Sequence, residues 1–518
     1  MSPTAGSARE RGRSVGSGAG AGRGRRTALV GVLGAALAAG VLTVADPALA
    51  QPSPGASRPD GHSSKRADDG HHQGGGGNGN GNGQQERRGN RHRAVPVKGP
   101  VLSAGDAKDS RAPTGTGLRS ALGATLQDKS LGTLNYAVAD AATGEFLVGA
   151  NENTPATPAS TTKLATAVAA LSLLPAGHRI ATTVVQGTTP GEITLVGGGD
   201  PTVTALPVDQ IRIGGAPVDV DSAPASMADL ARRTAAALKA AGTTAVKLSY
   251  DTSLYSGPLL HKEHDGTNIG AVTPLMVDEG RIDPRSPDEA PARVFDPPGQ
   301  AAESFAGLLK AEGITVQNKA AQATAPAGAK ELARVESPEI GRLVERMLTT
   351  SDNQLAEAVA RQVALAAKQP ASFEGGAAAV TAELTKVGVP MNGVVLTDGS
   401  GLASANLIPP LTLVKLLGQA ASPQHPELRP VITGLPIAGF TGTLVSRFGA
   451  KSGAGDAAGI VRAKTGSLSN VNTLAGTVVD SDGRVLVFAL MTRTTSPDPF
   501  PTRAAIDRIV AKIAACGC

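Results

Sequence analysis

Between Gln51 and Ala94 the sequence contains no Leu, Ile, Val, Met or aromatic residue, and Gly74 to Gly83 reads GGGGNGNGNG. Such a stretch cannot bury enough apolar surface to offset the entropy lost on ordering it. Residues 51–116 are therefore expected to form a disordered Gly/Asn/Arg-rich linker that provides reach, and any packed core must come from the residues that follow. Upstream, Arg9, Arg11, Arg13, Arg23, Arg25 and Arg26 precede the uncharged run Thr27 to Ala45, and Ala48-Leu49-Ala50 is a small-x-small site before Gln51. This is the pattern of a signal peptide over 1–50. The alternative is an uncleaved anchor helix, and either places the protein outside the cytoplasm. The first hundred residues hold a net +8 and the whole chain +5, which leaves −3 for the remainder. The basic balance thus belongs to the leader and linker, and nucleic acid is not an expected partner. The only cysteines, Cys516 and Cys518, sit at the tail and cannot staple domains together.

The folded portion opens with Leu134 to Gly149 (LNYAVADAATGEFLVG), two strands around a turn at Thr143-Gly144. Next come Pro158-Ala159-Ser160-Thr161-Thr162-Lys163 and the run LATAVAALSLL, where Leu164, Val168 and Leu171 recur at helical spacing. Residues i and i+3 share a helix face, so Lys163 can reach the Ser160 hydroxyl. A serine is a poor nucleophile until a base takes its proton, and a lysine serves only if burial or a neighbouring cation lowers its pKa. Taken alone, Ser-x-x-Lys is a weak signal. A second motif, Ser351-Asp352-Asn353, joins a helix carrying Leu343, Val344, Met347 and Leu348 to the helical run QLAEAVARQVALAAK. A third, Lys464-Thr465-Gly466-Ser467, precedes a hairpin of Asn470–Val479 and Arg484–Met491 turning at Asp480-Ser481-Asp482-Gly483. A lysine, a hydroxyl and a glycine on a strand edge suit a carboxylate-bearing peptide lying alongside. Lys451-Ser452-Gly453 lies in a glycine-rich loop with no strand after it and is set aside.

Ser-x-x-Lys, Ser-Asp-Asn and Lys-Thr-Gly in this order resemble the signature of penicillin-binding proteins and serine β-lactamases. The 188 positions from Lys163 to Ser351 are enough to hold whole domains. That layout resembles the class C low-molecular-mass penicillin-binding proteins, the D-alanyl-D-alanine carboxypeptidase/endopeptidase family. The secondary motifs are similar as well: Asp140, Gly197-Gly198-Gly199-Asp200-Pro201, Tyr250-Asp251 with Ser253-Leu254-Tyr255-Ser256-Gly257, Met276 to Arg281, Asp398-Gly399-Ser400-Gly401-Leu402 with Asn406, and Gly442-Thr443-Leu444. The resemblance covers roughly 117–515. It departs at Ala403-Ser404, where the family usually has Ser-Arg, at Tyr255 in place of Phe, and in lacking a Trp shortly after. These departures bear on substrate preference more than on the chemistry.

The resemblance implies a serine D-alanyl-D-alanine carboxypeptidase, with possible DD-endopeptidase activity, acting on peptidoglycan stem peptides and inhibited covalently by β-lactams. Ser160 would attack, Lys163 accept its proton, Ser351 relay a proton to the leaving amine and Asn353 hold the substrate amide. Lys464 and Thr465 would bind the terminal carboxylate, with Gly466 and Ser467 completing the substrate-binding edge. The backbone N–H groups of Ser160 and Ser467 would form the oxyanion hole. The expected location is secreted and cell-wall associated, with peripheral or no membrane contact after signal cleavage. Two other classes stay open at this stage: a serine β-lactamase, and a non-catalytic wall-binding or β-lactam-sensing module.

The implied fold is α+β, a β-lactamase/transpeptidase-like antiparallel sheet flanked by helices. Its catalytic module is split into 117–187 and 326–518 around an insertion of 188–325, read as two small domains. Val272–Asp278 is an expected strand, and Ala301–Glu312 and Ala504–Ala514 are expected helices. Other chemistries fail on inventory. There is no G-x-S-x-G elbow, no phosphate-cradling loop and no dinucleotide fingerprint. His261 and His264 flank Glu263 beside Asp265-Gly266, which reads as an exposed loop rather than a metal site. No metal and no cofactor are expected.

Overall fold

The computed structural model describes residues 111–213 and 215–518. The signal peptide assigned to 1–50, and the 51–116 linker apart from 111–116, lie outside the described residues. The helix Gly115–Leu122 begins at the end of that linker, with Thr114 accepting a hydrogen bond from the Gly117 amide as its N-cap.

Five antiparallel strands form the principal sheet, in the spatial order Val461–Leu468, Val471–Val479, Val485–Arg493, Thr133–Asp140, Phe146–Ala150. Side chains alternate across a strand, and here both faces are apolar. Val487, Ala489 and Met491 pack with the helices Lys163–Leu173, Ile340–Thr350, Asn353–Ala366 and Pro410–Ala421. Leu486, Phe488 and Leu490 face the opposite way, onto Ile506, Ile509, Val510 and Ile513 of the C-terminal helix Phe500–Ala514 and onto Leu118 and Leu122. The result is the expected α+β arrangement, an antiparallel sheet between helical layers. Its first hairpin is fixed by Asp140, which accepts from the Ala142 and Thr143 amides and pairs with Arg484, just before the neighbouring strand.

A second sheet lies between the first two motifs. Glu331–Glu336, Ala181–Gln186 and Glu192–Val196 run antiparallel, and Ala245–Asp251 joins parallel to Glu192–Val196. The short strands Thr315–Val316 and Ala321–Gln322 extend it. The helices Met227–Ala240 and Pro297–Ala311 cover it through Leu230, Ala231, Ala301 and Phe305. Its strands 181–186 and 331–336 lie on either side of the segment 188–325. The helix expected at Ala301–Glu312 starts earlier, because Asp296 caps it and Pro297 occupies its first position. The strand expected at Val272–Asp278 is irregular chain instead. Pro274 removes a ladder donor, and the neighbouring amides find scattered partners, Val272 on Leu259 and Asp278 on Val203. The segment is nonetheless buried, with Leu275, Met276 and Val277 in the interior.

The segment 188–325 is joined to the helix Ile340–Thr350 by charge. Buried Glu279 accepts from Arg281 at 2.6 Å and pairs with Arg346. Arg293 donates to the Glu279 carbonyl at 2.6 Å. Glu279 also lies beside Asp352 of the Ser351-Asp352-Asn353 segment.

Candidate active site

Ser160 sits in the 3₁₀ turn Ala159–Thr162, which runs directly into the helix Lys163–Leu173. Ala159 holds a left-handed backbone (φ +49°), a costly conformation for a residue with a side chain. The turn places the hydroxyl one helical step from Lys163, whose Nζ donates to Ser160 Oγ at 3.0 Å, Asn353 Oδ1 at 2.6 Å and the Ser400 carbonyl at 2.8 Å. Lys163 is wholly buried. Burial pulls its pKa down to about 8, against the opposing pull of Asp398, Asp352 and Glu357. A lysine so perturbed holds a useful fraction of free amine near neutrality and can take the serine proton.

The second motif begins where the helix Ile340–Thr350 ends. Ser351 is left-handed (φ +59°), and Asp352 caps the next helix by accepting from the Leu355 amide at 2.9 Å. The sharp reversal turns Ser351 and Asn353 to the same cleft. Burial and the nearby Glu279 push the Asp352 carboxyl up. The Asn353 Nδ2 donates to the Asn268 carbonyl at 3.1 Å, which ties this side chain to the insertion.

The third motif lies on the terminal strand of the sheet, Val461–Leu468. Lys464 is wholly buried and donates to Ser351 Oγ at 2.8 Å and to the Thr465 carbonyl at 2.9 Å. Burial and the neighbouring Lys163 hold its pKa well below the ordinary lysine value. Thr465 Oγ1 lies 2.7 Å from Thr443 Oγ1, and Ser467 Oγ accepts from Arg503 at 3.0 Å. A Cβ at Gly466 would run into the Pro158 carbonyl and the Thr473 hydroxyl. Only a glycine lets this strand approach the nucleophile's turn so closely.

All eight residues singled out from sequence therefore meet at one place. Ser160, Ser351, Asn353, Thr465 and Ser467 line a cleft of about 820 Å³ that also takes in Arg281, Arg293 and Glu289 of the insertion. Lys163 and Lys464 are wholly buried, and each donates to one of the two serines, Ser160 and Ser351.

Sequence reasoning singled out the Asp398–Leu402 segment and Asn406 only as secondary motifs, and it missed Glu357 and His261, which support them. The carboxylate of Glu357 accepts from the Gly399 and Ser400 amides, and Asp398 accepts from the Gly401 and Ala403 amides and from Asn406. Together they shape the turn whose Ser400 carbonyl receives Lys163. His261 corrects the exposed-loop reading: it is buried, donates to Asp398 at 3.0 Å and stacks edge-on against Phe373. His264 stays exposed. The ligand atoms of His261, Glu357 and Asp398 lie within 4.8 Å of one another, close enough to share an ion. Their oxygens are already engaged by the backbone and Asn406, and the trio is best described as a hydrogen-bonded network.

The D-Ala-D-Ala carboxypeptidase 3 (S13) family model matches residues 118–292 and 284–513. A carboxypeptidase of Mycobacterium tuberculosis is 36% identical over 443 residues, which cover 83% of this chain and 92% of that protein. The carboxypeptidase DacB of Mycolicibacterium smegmatis is 36% identical over 438 residues, 82% of this chain and 91% of that protein. Penicillin-binding protein 4 of Haemophilus influenzae has the same fold, with a TM-score of 0.61 at 21% identity over 77% of this chain and 99% of that one. The chain belongs to the D-Ala-D-Ala carboxypeptidase 3 (S13) family, within the low-molecular-mass penicillin-binding proteins. It is a serine D-alanyl-D-alanine carboxypeptidase acting on peptidoglycan.

Proposed function

We propose that the reaction proceeds through an acyl-enzyme on Ser160, with each motif residue in a distinct role. Lys163 takes the hydroxyl proton as Ser160 adds to the carbonyl of the penultimate D-Ala. The Ser160 and Ser467 amides stabilise the oxyanion. Ser351, hydrogen-bonded to Lys464, passes a proton to the amine of the departing D-Ala. Asn353 holds the peptide amide, and Lys464 and Thr465 bind the terminal carboxylate. Water then hydrolyses the ester. A β-lactam opens on the same serine, but its leaving group stays attached and the ester persists. One observation carries this reading: a wholly buried Lys163 amine 3.0 Å from the Ser160 oxygen.

The finer assignments follow from the same site and from the sequence upstream. The open cleft and the paired motifs also fit cross-linked stem peptides, so DD-endopeptidase activity belongs to the proposal. The pattern of 1–50 supports export and a cell-wall location, with the linker giving reach. Among the described residues no helix is long and apolar enough to cross a membrane.

The test is release of D-Ala from a peptide ending in D-Ala-D-Ala, lost in Ser160→Ala, together with mass spectrometry of the intact chain after exposure to penicillin. A long-lived adduct on Ser160 is expected. An adduct that turns over within seconds would identify a β-lactamase. Folded protein that neither acylates nor releases D-Ala would leave only a binding module. Digestion of purified cross-linked muropeptides reports the endopeptidase activity.

A further inference from the structure

A hydrogen-bond path runs from His261, in the segment 188–325, to the catalytic lysine. Three links connect His261 to the lysine. The Glu263 amide donates to His261 Nδ1 at 3.0 Å, so in the neutral ring the proton sits on Nε2 and points at Asp398 Oδ2, 3.0 Å away. Asp398 Oδ1 receives the Gly401 amide at 2.7 Å, and Oδ2 also receives the Ala403 amide at 2.7 Å. The turn so held presents the Ser400 carbonyl to Lys163 Nζ at 2.8 Å. The same turn presses on the nucleophile. Gly401 has φ +80°, and a Cβ there would strike the Ala159 carbonyl.

Charge follows the same path. Burial works to raise the Asp398 carboxyl, but hydrogen bonds from His261, Ala403 and Gly401 outweigh it and hold it below the ordinary value; without His261 the Gly401 and Ala403 amides and Asn406 still donate to it and keep it charged at neutral pH and above. Among the groups that hold the proton on Lys163, Asp398 has the largest effect. The other groups around the imidazole come from three elements. Glu357 and Arg361 lie on the helix Asn353–Ala366, 3.8 Å apart, and the Arg361 guanidinium lies over the Phe373 ring at 4.1 Å. Glu263 lies on the histidine's own turn and is exposed. Arg361 lies 3.8 Å from Glu357, whose carboxyl burial and Asp398 push up, and His261 is the side chain hydrogen-bonded to Asp398 Oδ2.

We propose that His261 is a positioning residue for the catalytic lysine. By donating to Asp398 it fixes the Ser400 carbonyl against Lys163 and draws the carboxylate's negative charge away from the Lys163 ammonium. The general base is thus tuned from the inserted region, by a residue that touches neither substrate nor the reacting serine. The inference rests on the acyl-enzyme reading above.

The experiment is the pH dependence of penicillin acylation of the full chain. In His261→Ala the midpoint of the acidic limb should move up by about one unit, which makes acylation about tenfold slower at pH 7 and nearly unchanged at pH 10. His261→Gln, which keeps an N–H in place for Asp398, should restore most of the shift. A role confined to packing would slow the reaction equally at all pH values. An unmoved midpoint in a folded His261→Ala protein, or no rescue by glutamine, overturns the proposal. A second readout needs no substitution at His261. In the unaltered chain the His261 Nε2–H proton resonance should shift with the midpoint of acylation, and that shift should vanish in Lys163→Met. An insensitive resonance overturns the proposal. If the unaltered chain is not acylated at all, the acyl-enzyme reading fails. If it is acylated but the midpoint ignores His261, only this inference fails.

Discussion

Acylation of Ser160 should follow the ionisation of Lys163, and the structure sets the numbers. An ordinary lysine at 10.5 holds about 3 parts in 10,000 as free amine at pH 7, whereas one lowered to about 8 holds about a tenth. Burial of Lys163 is thus worth about 300-fold in available base at neutrality. The second-order rate of acylation by a penicillin should rise about ninefold from pH 6 to 7, about fivefold from 7 to 8, and level off above about 9. The direction follows from the charge: the neutral amine is the active form, so activity is lost as pH falls through the folded-state value. Lys163→Arg keeps a cation that cannot give up its proton at these pH values. Its acylation should fall by about 10²–10⁴-fold while the protein still melts cooperatively. Stopped-flow mixing with a chromogenic β-lactam between pH 5.5 and 10 measures both. A flat profile across this range, or a midpoint near the ordinary lysine value, would refute the assignment of Lys163 as the base.

Two further outcomes test the scaffold. Asp140→Ala removes one partner of the buried Asp140–Arg484 pair and the acceptor for the Ala142 and Thr143 amides, so unfolding in urea should show a loss of about 3–5 kcal/mol. A loss under about 1 kcal/mol would mean that solvent reaches the pair freely. Gly466→Ala drives a methyl group into the Pro158 carbonyl and the Thr473 hydroxyl. It should cost about 1–3 kcal/mol in stability and, by moving the Ser467 amide relative to Ser160, about 10²-fold in acylation; normal acylation with only reduced stability would separate the strand's position from the chemistry.

The chemistry was more legible than its supports. Ser160 and Lys163 declare themselves because a three-residue step on one helix is a local relation, and Ser351 and Asn353 because a helix reversal has a short signature. The strands 471–479 and 485–493 show as apolar runs around an Asp-Gly turn. His261 could not be found this way. Its partner Asp398 is 137 residues distant, and its immediate neighbours Lys262, Glu263, His264 and Asp265 read as a polar loop. Those neighbours are exposed, and one ring among them turns inward. The carboxylate of Glu357 was hidden for a different reason. It lies inside a helical run rich in Ala, Val and Leu and serves backbone amides, and backbone amides leave no trace in residue identity. At Val272–Asp278 an apolar run spelled burial correctly and strand incorrectly, because hydropathy cannot distinguish an extended ladder from buried irregular chain once Pro274 removes a donor.

The strand Thr133–Asp140 lies between its sequence neighbour Phe146–Ala150 and Val485–Arg493, which is synthesised long after it. Until that segment arrives, Thr133–Asp140 has one bare edge, and the hairpin of the Lys464 strand with Val471–Val479 is not joined to it. Hydrolytic competence therefore waits for Val485–Arg493 to emerge. A product cut short before residue 485 would carry the nucleophile and its base yet have no means of assembling them into an enzyme.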